Sequence, residues 1–456
     1  MGGLRIGEAV RNATDTAQVV IGDGVLGSLD DLFERSFGNR AAVVVADGNT
    51  FEVAGEAAHR RLAAAGRKLS HPYIFPGQPP LHADYDNVEL LIASLRVHDA
   101  IPIAVGAGTV NDIVKRAAFE CGRRYMSVAT AASVDGYTAF GAAITTGGYK
   151  QTLPCAAPRA ALADLAVLTH APPAMTSAGY ADLLGKVTAG ADWIVADALE
   201  VEPIDPTPWS LVQGPLREAT GRPSAVRAGV PSAIEGLIEG LIMSGLAMQA
   251  AASSRPASGA EHQFSHLWEM EGLGAECQPP LSHGFKVGLG AISIAAFYEQ
   301  LLAHDMTRLD IEAIVRAWPS WEQIERRVRA AHTAPGLQEG AVGESRAKYV
   351  DATQLERRLK LLVGRWPKLR DHLRRQLMPA AELRTQLQQA GCPTTPAELG
   401  LGRDRLKATY RRAQTIRRRY TVLDLANETA LLEPFAEQLF GDRGFWTREI
   451  GVGQDG

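Results

Sequence analysis

A chain of 456 residues is longer than one hydrophobic core ordinarily serves, so two domains are expected. With 46% hydrophobic and 21% charged residues it is not a disordered polymer. A formal net charge of −4 excludes a general electrostatic pull towards nucleic acid or anionic membrane, which leaves small ligands as the expected partners.

From the start of the chain, residues 1–30 alternate polar and apolar side chains, where an export signal would have a basic start and an apolar core; the cytoplasm is the expected compartment. Short Val- and Ile-rich runs then alternate with helical periodicity: "AAVVVADGNT" before "EVAGEAAHRRLAAAG", and "IPIAVGAGT" before "VNDIVKRAAFE". This pattern predicts a parallel sheet wrapped by helices. Asp47 closes the first of these strands, where a carboxylate can accept from adenosine hydroxyls and disfavour a 2′-phosphate. "GAGTVND" places Gly106 and Gly108 between a strand and a helix start, whose free N–H groups suit a pyrophosphate. It is not the ordinary dinucleotide fingerprint, because Asn111 stands where the third glycine should be. "SVATAASVDGYTAFGAAI" follows, with Thr130, Ser133 and Thr138 around Asp135, readable as a polar wall or as plain turns.

The alternation fades after "ALADLAVLTHAPP", so the chain divides near residue 170 into an α/β domain, 1–170, and an all-helical domain, 171–456. Such a division leaves a cleft suited to a small molecule. In the second part Asp182 interrupts the apolar "GYADLLGK". "VEPIDPTPW" predicts a loop from Glu202 to Trp209. The apolar stretch from Leu237 to Ala252 contains Glu239 and Gly240 and falls short of a membrane span. "SRPASGAEHQFSHLWE" carries His262 and His266 one helical turn apart, as a metal grip, a buried pair or part of a polar face. His283 precedes a glycine in "LSHGFKVGLG". "RRAQTIRRRY" is expected to be a solvated helix face. Cys121, Cys155, Cys277 and Cys392 form no CxxC pair and are expected to be reduced structural thiols. One carboxylate with two imidazoles makes a borderline divalent-metal set that leaves an open coordination position; it suits zinc and tolerates nickel, iron or manganese.

Taken together, "GAGTVND", "TAASVDGYTA", "GYADLLGKVTAGADW", "SRPASGAEHQFSH" and "IRRRYTVLDLA" resemble the bacterial branch of the sn-glycerol-1-phosphate dehydrogenases, within the dehydroquinate-synthase-like superfamily that includes iron-containing alcohol dehydrogenases. The resemblance runs from about residue 20 to about residue 425 and implies a dinucleotide-binding α/β domain followed by a helical metal domain. Carried across, it implies Asp182, His262 and His283 as metal ligands, and Asp47, Gly106, Gly108, Thr109, Asp112, Thr130 and Ser133 around NAD or NADP. It further implies Asp135 and His266 as catalytic groups on the substrate side, and Asp135, Lys186 and Arg255 as substrate-binding, with Lys150 another candidate for the phosphate. The implied reaction is metal-dependent hydride transfer between dihydroxyacetone phosphate and sn-glycerol 1-phosphate, in a homo-oligomer, a dimer. Glycerol dehydrogenase is the near alternative and a dehydroquinate-synthase-like cyclase the distant one; a binding protein without chemistry is the third class. Two departures stand out: Ala107 occupies a position often held by glycine in the superfamily, and residues 200–229 and the tail after Glu433 look expanded.

Overall fold

A computed structural model describes residues 2–451, with side chains from Ile6 to Arg448. Its strands are β1 (Gln18–Gly22), β2 (Ala42–Asp47), β3 (Tyr73–Phe75), β4 (Ile101–Gly106), β5 (Met126–Ala129), β6 (Ala142–Thr146), β7 (Tyr149–Leu153) and β8 (Ala160–Asp164). Six of them form one sheet in the order β1-β8-β5-β4-β2-β3, with every neighbouring pair parallel. The period-2 geometry of a strand explains its covering: Val43 and Val45 of β2 pack into one layer, and Ala42, Val44 and Ala46 into the other. The first layer is completed by Val88, Leu91, Ile113 and Val114 from the helices Tyr85–Leu95 and Gly108–Glu120. Leu29, Phe33, Ala58 and Leu62 from Leu29–Phe37 and Glu56–Ala64 complete the second.

β2 and β4 lie side by side although β3 falls between them in sequence, so the winding direction reverses there. The crevice outside the carboxyl ends of strands at such a reversal is where open α/β sheets bind ligands. Asp47 and Gly106 end the two strands that flank it.

The last strand ends at Asp164, and from Pro173 onward the described chain is helical. Helices Pro231–Ala251 and His283–Ala303, 21 residues each, are long and apolar enough to cross a membrane, which corrects the expectation that the apolar stretch near Leu237 is too short. In each, 78% of the most apolar window is buried against other helices, as in a core helix that is apolar all round. The first helix, Gly2–Arg11, packs on Pro231–Ala251 and contributes Ile6 and Ala9 to the helical core. The loop expected from Glu202 to Trp209 ends at Asp205. Its carboxylate accepts from Thr207 N at 2.9 Å and starts the helix Pro206–Ala219, whose first residue needs no N–H partner.

A hairpin also joins the halves. The β6–β7 hairpin lies outside the main sheet and turns at Gly147 and Gly148, with φ of 56° and 78°, the pair of left-handed residues a tight hairpin requires. Tyr149 OH reaches Ile416 O at 3.3 Å, and the Lys150 ammonium reaches Glu269 Oε2 at 2.8 Å.

Candidate active site

Four helix termini bring the polar groups together. Asp182 stands in the last turn of the helix Pro173–Leu184 and Lys186 at the start of Lys186–Ala198, so the i, i+4 spacing sets the ammonium 2.7 Å from Asp182 Oδ1. The helix Ala260–Met270 begins without a side-chain cap of its own at Gly259. Asp192 supplies it from a neighbouring helix, accepting from Ala260 N at 2.7 Å, and Glu261 Oε1 accepts from Gly259 N at 2.6 Å. Burial and the nearby Glu261 push the Asp192 carboxyl up to about 7. Ser282 caps the helix His283–Ala303, accepting from Phe285 N, and so fixes His283 in its first turn.

The nitrogen and oxygen donors of Asp182, His262 and His283 all lie within 4.8 Å of one another. His262 Nδ1 is 2.8 Å from Glu261 Oε1, and His283 Nδ1 is 2.9 Å from Glu269 Oε1. Each ring therefore has a carboxylate behind it and Nε2 left over, the arrangement that orients histidines towards a metal. His262 Nε2 is 3.4 Å from Asp182 Oδ1, and two donors roughly 2.1 Å from one tetrahedral ion stand about 3.4 Å apart. The donor set fits a divalent ion with N2O ligation. His266, Glu269 and His283 form a second close group, but Glu269 there is already paired with Lys150 and His283.

Burial raises the Asp182 carboxyl, yet Lys186 and His262 outweigh it and hold the group well below the usual carboxylate range. Lys186 is fully buried, and its ammonium is divided between Asp182 and Asp135 Oδ2, the latter at 2.8 Å. Asp135 links the two halves of the chain: its N–H donates to Asp182 Oδ2 at 3.1 Å, and its carboxylate accepts from Ser244 Oγ at 2.9 Å. The His266 ring lies edge-on to His262, centroids 5.9 Å apart, and stacks on His283 at 5.7 Å. Arg417 Nη2 faces His266 Nδ1 at 3.3 Å, which leaves the ring proton on Nε2. Burial, with Arg417 and Lys150 close by, holds His266 well below the ordinary histidine value, so it is neutral.

At the glycine turn Ala107 has φ −88°, so its methyl group is accommodated without strain. Gly108 and Thr109 open the following helix, whose first turn has no side-chain cap. Asn111, in the place of the third fingerprint glycine, is buried and ties this helix to the Asp135 loop, donating to Gly136 O and accepting from Tyr125 OH. Lys115 does more of the same, donating to Gly136 O, Gly141 O and Asp112 Oδ1. Asp112 Oδ2 also accepts from Ala143 N at 3.3 Å. Thr130 and Ser133 are buried beyond β5, with Thr130 N donating to Gly106 O at 3.2 Å. Asp47 caps the turn after β2 through Oδ1, accepting from Thr50 N at 2.8 Å, which leaves Oδ2 for another donor.

The predicted residues do not all converge. Arg255 engages the helical core: its guanidinium is buried and donates to Tyr420 O and Asp192 O at 2.9 Å each, with Glu202 beside Nε. Lys186 is in the site, but between two carboxylates, a poor place for a phosphate. The basic run is a correction. The helix Arg403–Thr415 ends before its last residues, leaving Arg418 exposed with Glu344, Arg419 donating to Ser258 O and Arg417 reaching the site. Sequence reading missed Glu261 and Glu269, although Glu269 is seven residues from His262 and on the same helical face. It missed Lys286, three residues from His283, for the same reason. A cavity of about 620 Å³ between Trp318, Tyr349 and Glu428 lies elsewhere, and none of Asp182, His262 and His283 lines it.

Residues 20–172 match the family model described as iron-containing alcohol dehydrogenase. The chain is 33% identical over 437 residues to a glycerol-1-phosphate dehydrogenase acting with NAD(P)+ from Bacillus velezensis, covering 94% of this chain and 95% of that one. A glycerol-1-phosphate dehydrogenase of Bacillus subtilis is 33% identical over 419 residues, covering 91% and 92%. The crystal structure of glycerol dehydrogenase from Schizosaccharomyces pombe superposes with a TM-score of 0.59 at 16% identity, covering 96% of this chain and 92% of its own. That of sulfoacetaldehyde reductase from Bifidobacterium kashiwanohense in complex with NAD+ gives 0.55 at 16% identity, covering 92% and 96%. These two likenesses establish the fold alone.

Proposed function

The chain belongs to the NAD(P)+-linked glycerol-1-phosphate dehydrogenase family, and from there we propose that Asp182, His262 and His283 hold one divalent ion at which dihydroxyacetone phosphate and sn-glycerol 1-phosphate are interconverted. The observation that carries the metal reading is the pair of carboxylates, Glu261 and Glu269, behind the two rings. Zinc suits the donor set first, with nickel and iron also compatible. When bound, the ion supplies a Lewis acid for the substrate's C2 oxygen and the nicotinamide carries the hydride.

The remaining tasks fall to the chain. The amides around Gly106, Gly108 and Thr109, with Asp112 behind them, receive the cofactor's pyrophosphate, and the free oxygen of Asp47 accepts from a ribose hydroxyl. Thr130 and Ser133 border the nicotinamide. Asp135, held by Lys186 and Ser244, accepts from a substrate hydroxyl. His266, neutral and protonated on Nε2, donates to the substrate and fixes its orientation; with Nδ1 engaged by Arg417 it is a positioning donor more than a proton store. The same reading gives a cytoplasmic homodimer.

Glycerol dehydrogenase is the weaker reading, since that likeness is structural at 16% identity while the phosphate-specific relatives are 33% identical across nine-tenths of both chains. The test is to strip the metal, reconstitute with zinc, nickel or iron, and assay dihydroxyacetone phosphate with NADH and NADPH, followed by chiral analysis of the product. Metal-dependent formation of sn-glycerol 1-phosphate is expected. Turnover of glycerol or dihydroxyacetone with none of the phosphate ester would overturn the assignment.

A further inference from the structure

Lys286 stands one helical turn beyond His283 and is only 6% exposed, yet its ammonium has no hydrogen-bond or ion-pair partner among the described residues. Its stem is packed but the ammonium nitrogen is not fully enclosed, so the charge is held in place and open to an arriving anion. Burial holds it below the ordinary lysine value, only partly offset by Glu269, with Lys150 adding to the repulsion. Around it the charges do not balance. Lys150, Lys286 and Arg417 are three cations, and the carboxylate among them, Glu269, is shared between Lys150 Nζ at 2.8 Å and His283 Nδ1 at 2.9 Å.

Arg417 is already spent. It donates to Tyr149 OH, Ile416 O, Lys150 O and His266 Nδ1, and so positions the hairpin and the histidine. The open N–H donors belong to Lys286 and to Lys150, whose ammonium meets Glu269 and no other acceptor among the described residues. Glu269 joins Lys150 directly to the metal-donor histidine His283, and Lys286 stands on the same helix as that histidine, one turn on.

We propose that Lys286 and Lys150 form the phosphate clamp that distinguishes dihydroxyacetone phosphate from unphosphorylated triose, in place of Arg255 and Lys186. This rests on the dehydrogenase reading above. Two charge-assisted contacts to a dianion are worth on the order of 100-fold in affinity. In the metal-loaded enzyme, Lys286→Gln removes one of the two and should raise KM for dihydroxyacetone phosphate roughly tenfold with a much smaller fall in kcat. The preference for dihydroxyacetone phosphate over dihydroxyacetone should shrink by a similar factor, and Lys286→Arg should restore most of it. Lys150→Gln, on the partly exposed hairpin, should raise KM about tenfold and serves if the buried substitution does not fold. A readout independent of turnover is calorimetric titration of inorganic phosphate into the wild-type holoenzyme, where phosphate should bind and compete with dihydroxyacetone phosphate.

A KM within threefold of wild type in both Gln variants, or no competition by phosphate in the wild type, overturns the clamp while leaving the dehydrogenase reading intact. A wild-type enzyme that reduces dihydroxyacetone but not its phosphate overturns both.

Discussion

Gly284 is the point where the His283 helix touches the Asp182 helix, and an added methyl group there tests whether helix packing sets the metal geometry. A Cβ at this position would stand 1.9 Å from the Ala178 carbonyl oxygen, and real Cβ atoms essentially never come within 3.0 Å of such a neighbour, so Gly284→Ala must part the two helices by about 1.1 Å. The obstacle is backbone and cannot rotate away. A metal site tolerates donor displacements of only about 0.2 Å, and His283 is the residue next to the substitution. Overpacking of this kind costs about 1–3 kcal/mol, which a folded chain survives. Zinc affinity should fall roughly 100-fold or more, a loss at the upper end of what misoriented ligands cause. The assay is competitive chelator titration of zinc alongside thermal denaturation. Gly343→Ala is the matched control, because that exposed helical glycine has nothing within 4 Å of an added Cβ; it should leave zinc affinity unchanged and gain up to about 1 kcal/mol. Zinc affinity within twofold of wild type in Gly284→Ala would show that the helices are free to adjust and that the close approach does not set the site.

Glu261→Gln should lower metal affinity about 10–100-fold, measured by the same chelator competition, because the His262 ring loses the charge that orients it; an unchanged affinity would remove Glu261 from the site. Asp47→Asn should increase the kcat/KM ratio for NADP+ over NAD+ by about tenfold, the scale of one charged contact, and an unchanged ratio would place the ribose elsewhere. His332 gives a pH signature in the metal-free protein. Burial and the nearby Arg412 lower its pKa from 6.5 to about 4. Its contribution is therefore present in full above pH 6.5 and is lost as pH falls towards 4, a change of about 3 kcal/mol at ~1.4 kcal/mol per pH unit. The thermal midpoint should drop across that window and drop less in His332→Asn; equal slopes in the two proteins would refute the assignment.

How much of this was legible beforehand depends on the range of the interaction concerned. The Val-rich runs specified the sheet because a strand buried on both faces needs apolar residues at every position, and β2 and β4 show that pattern. The helix start after Gly106 is likewise local, whereas the hairpin at Gly147 and Gly148 was not read from the sequence. The basic run from Arg411 to Tyr420 misled because its density suggested a single helical face, whereas the helix stops at Thr415 and each arginine then goes its own way.

Local order, the strand-helix alternation and the presence of one acid and two imidazoles in suitable helices were determined by the sequence itself, since periodicity and capping act over a few residues. Which charged side chains serve the site was decided by the tertiary structure. Arg255 and Lys286 look equally available in one dimension, yet Arg255 finds two backbone carbonyls and a glutamate, while Lys286 finds no acceptor among the described residues. A charge takes its role from what faces it, and what faces Lys286 is a hairpin more than a hundred residues earlier in the chain.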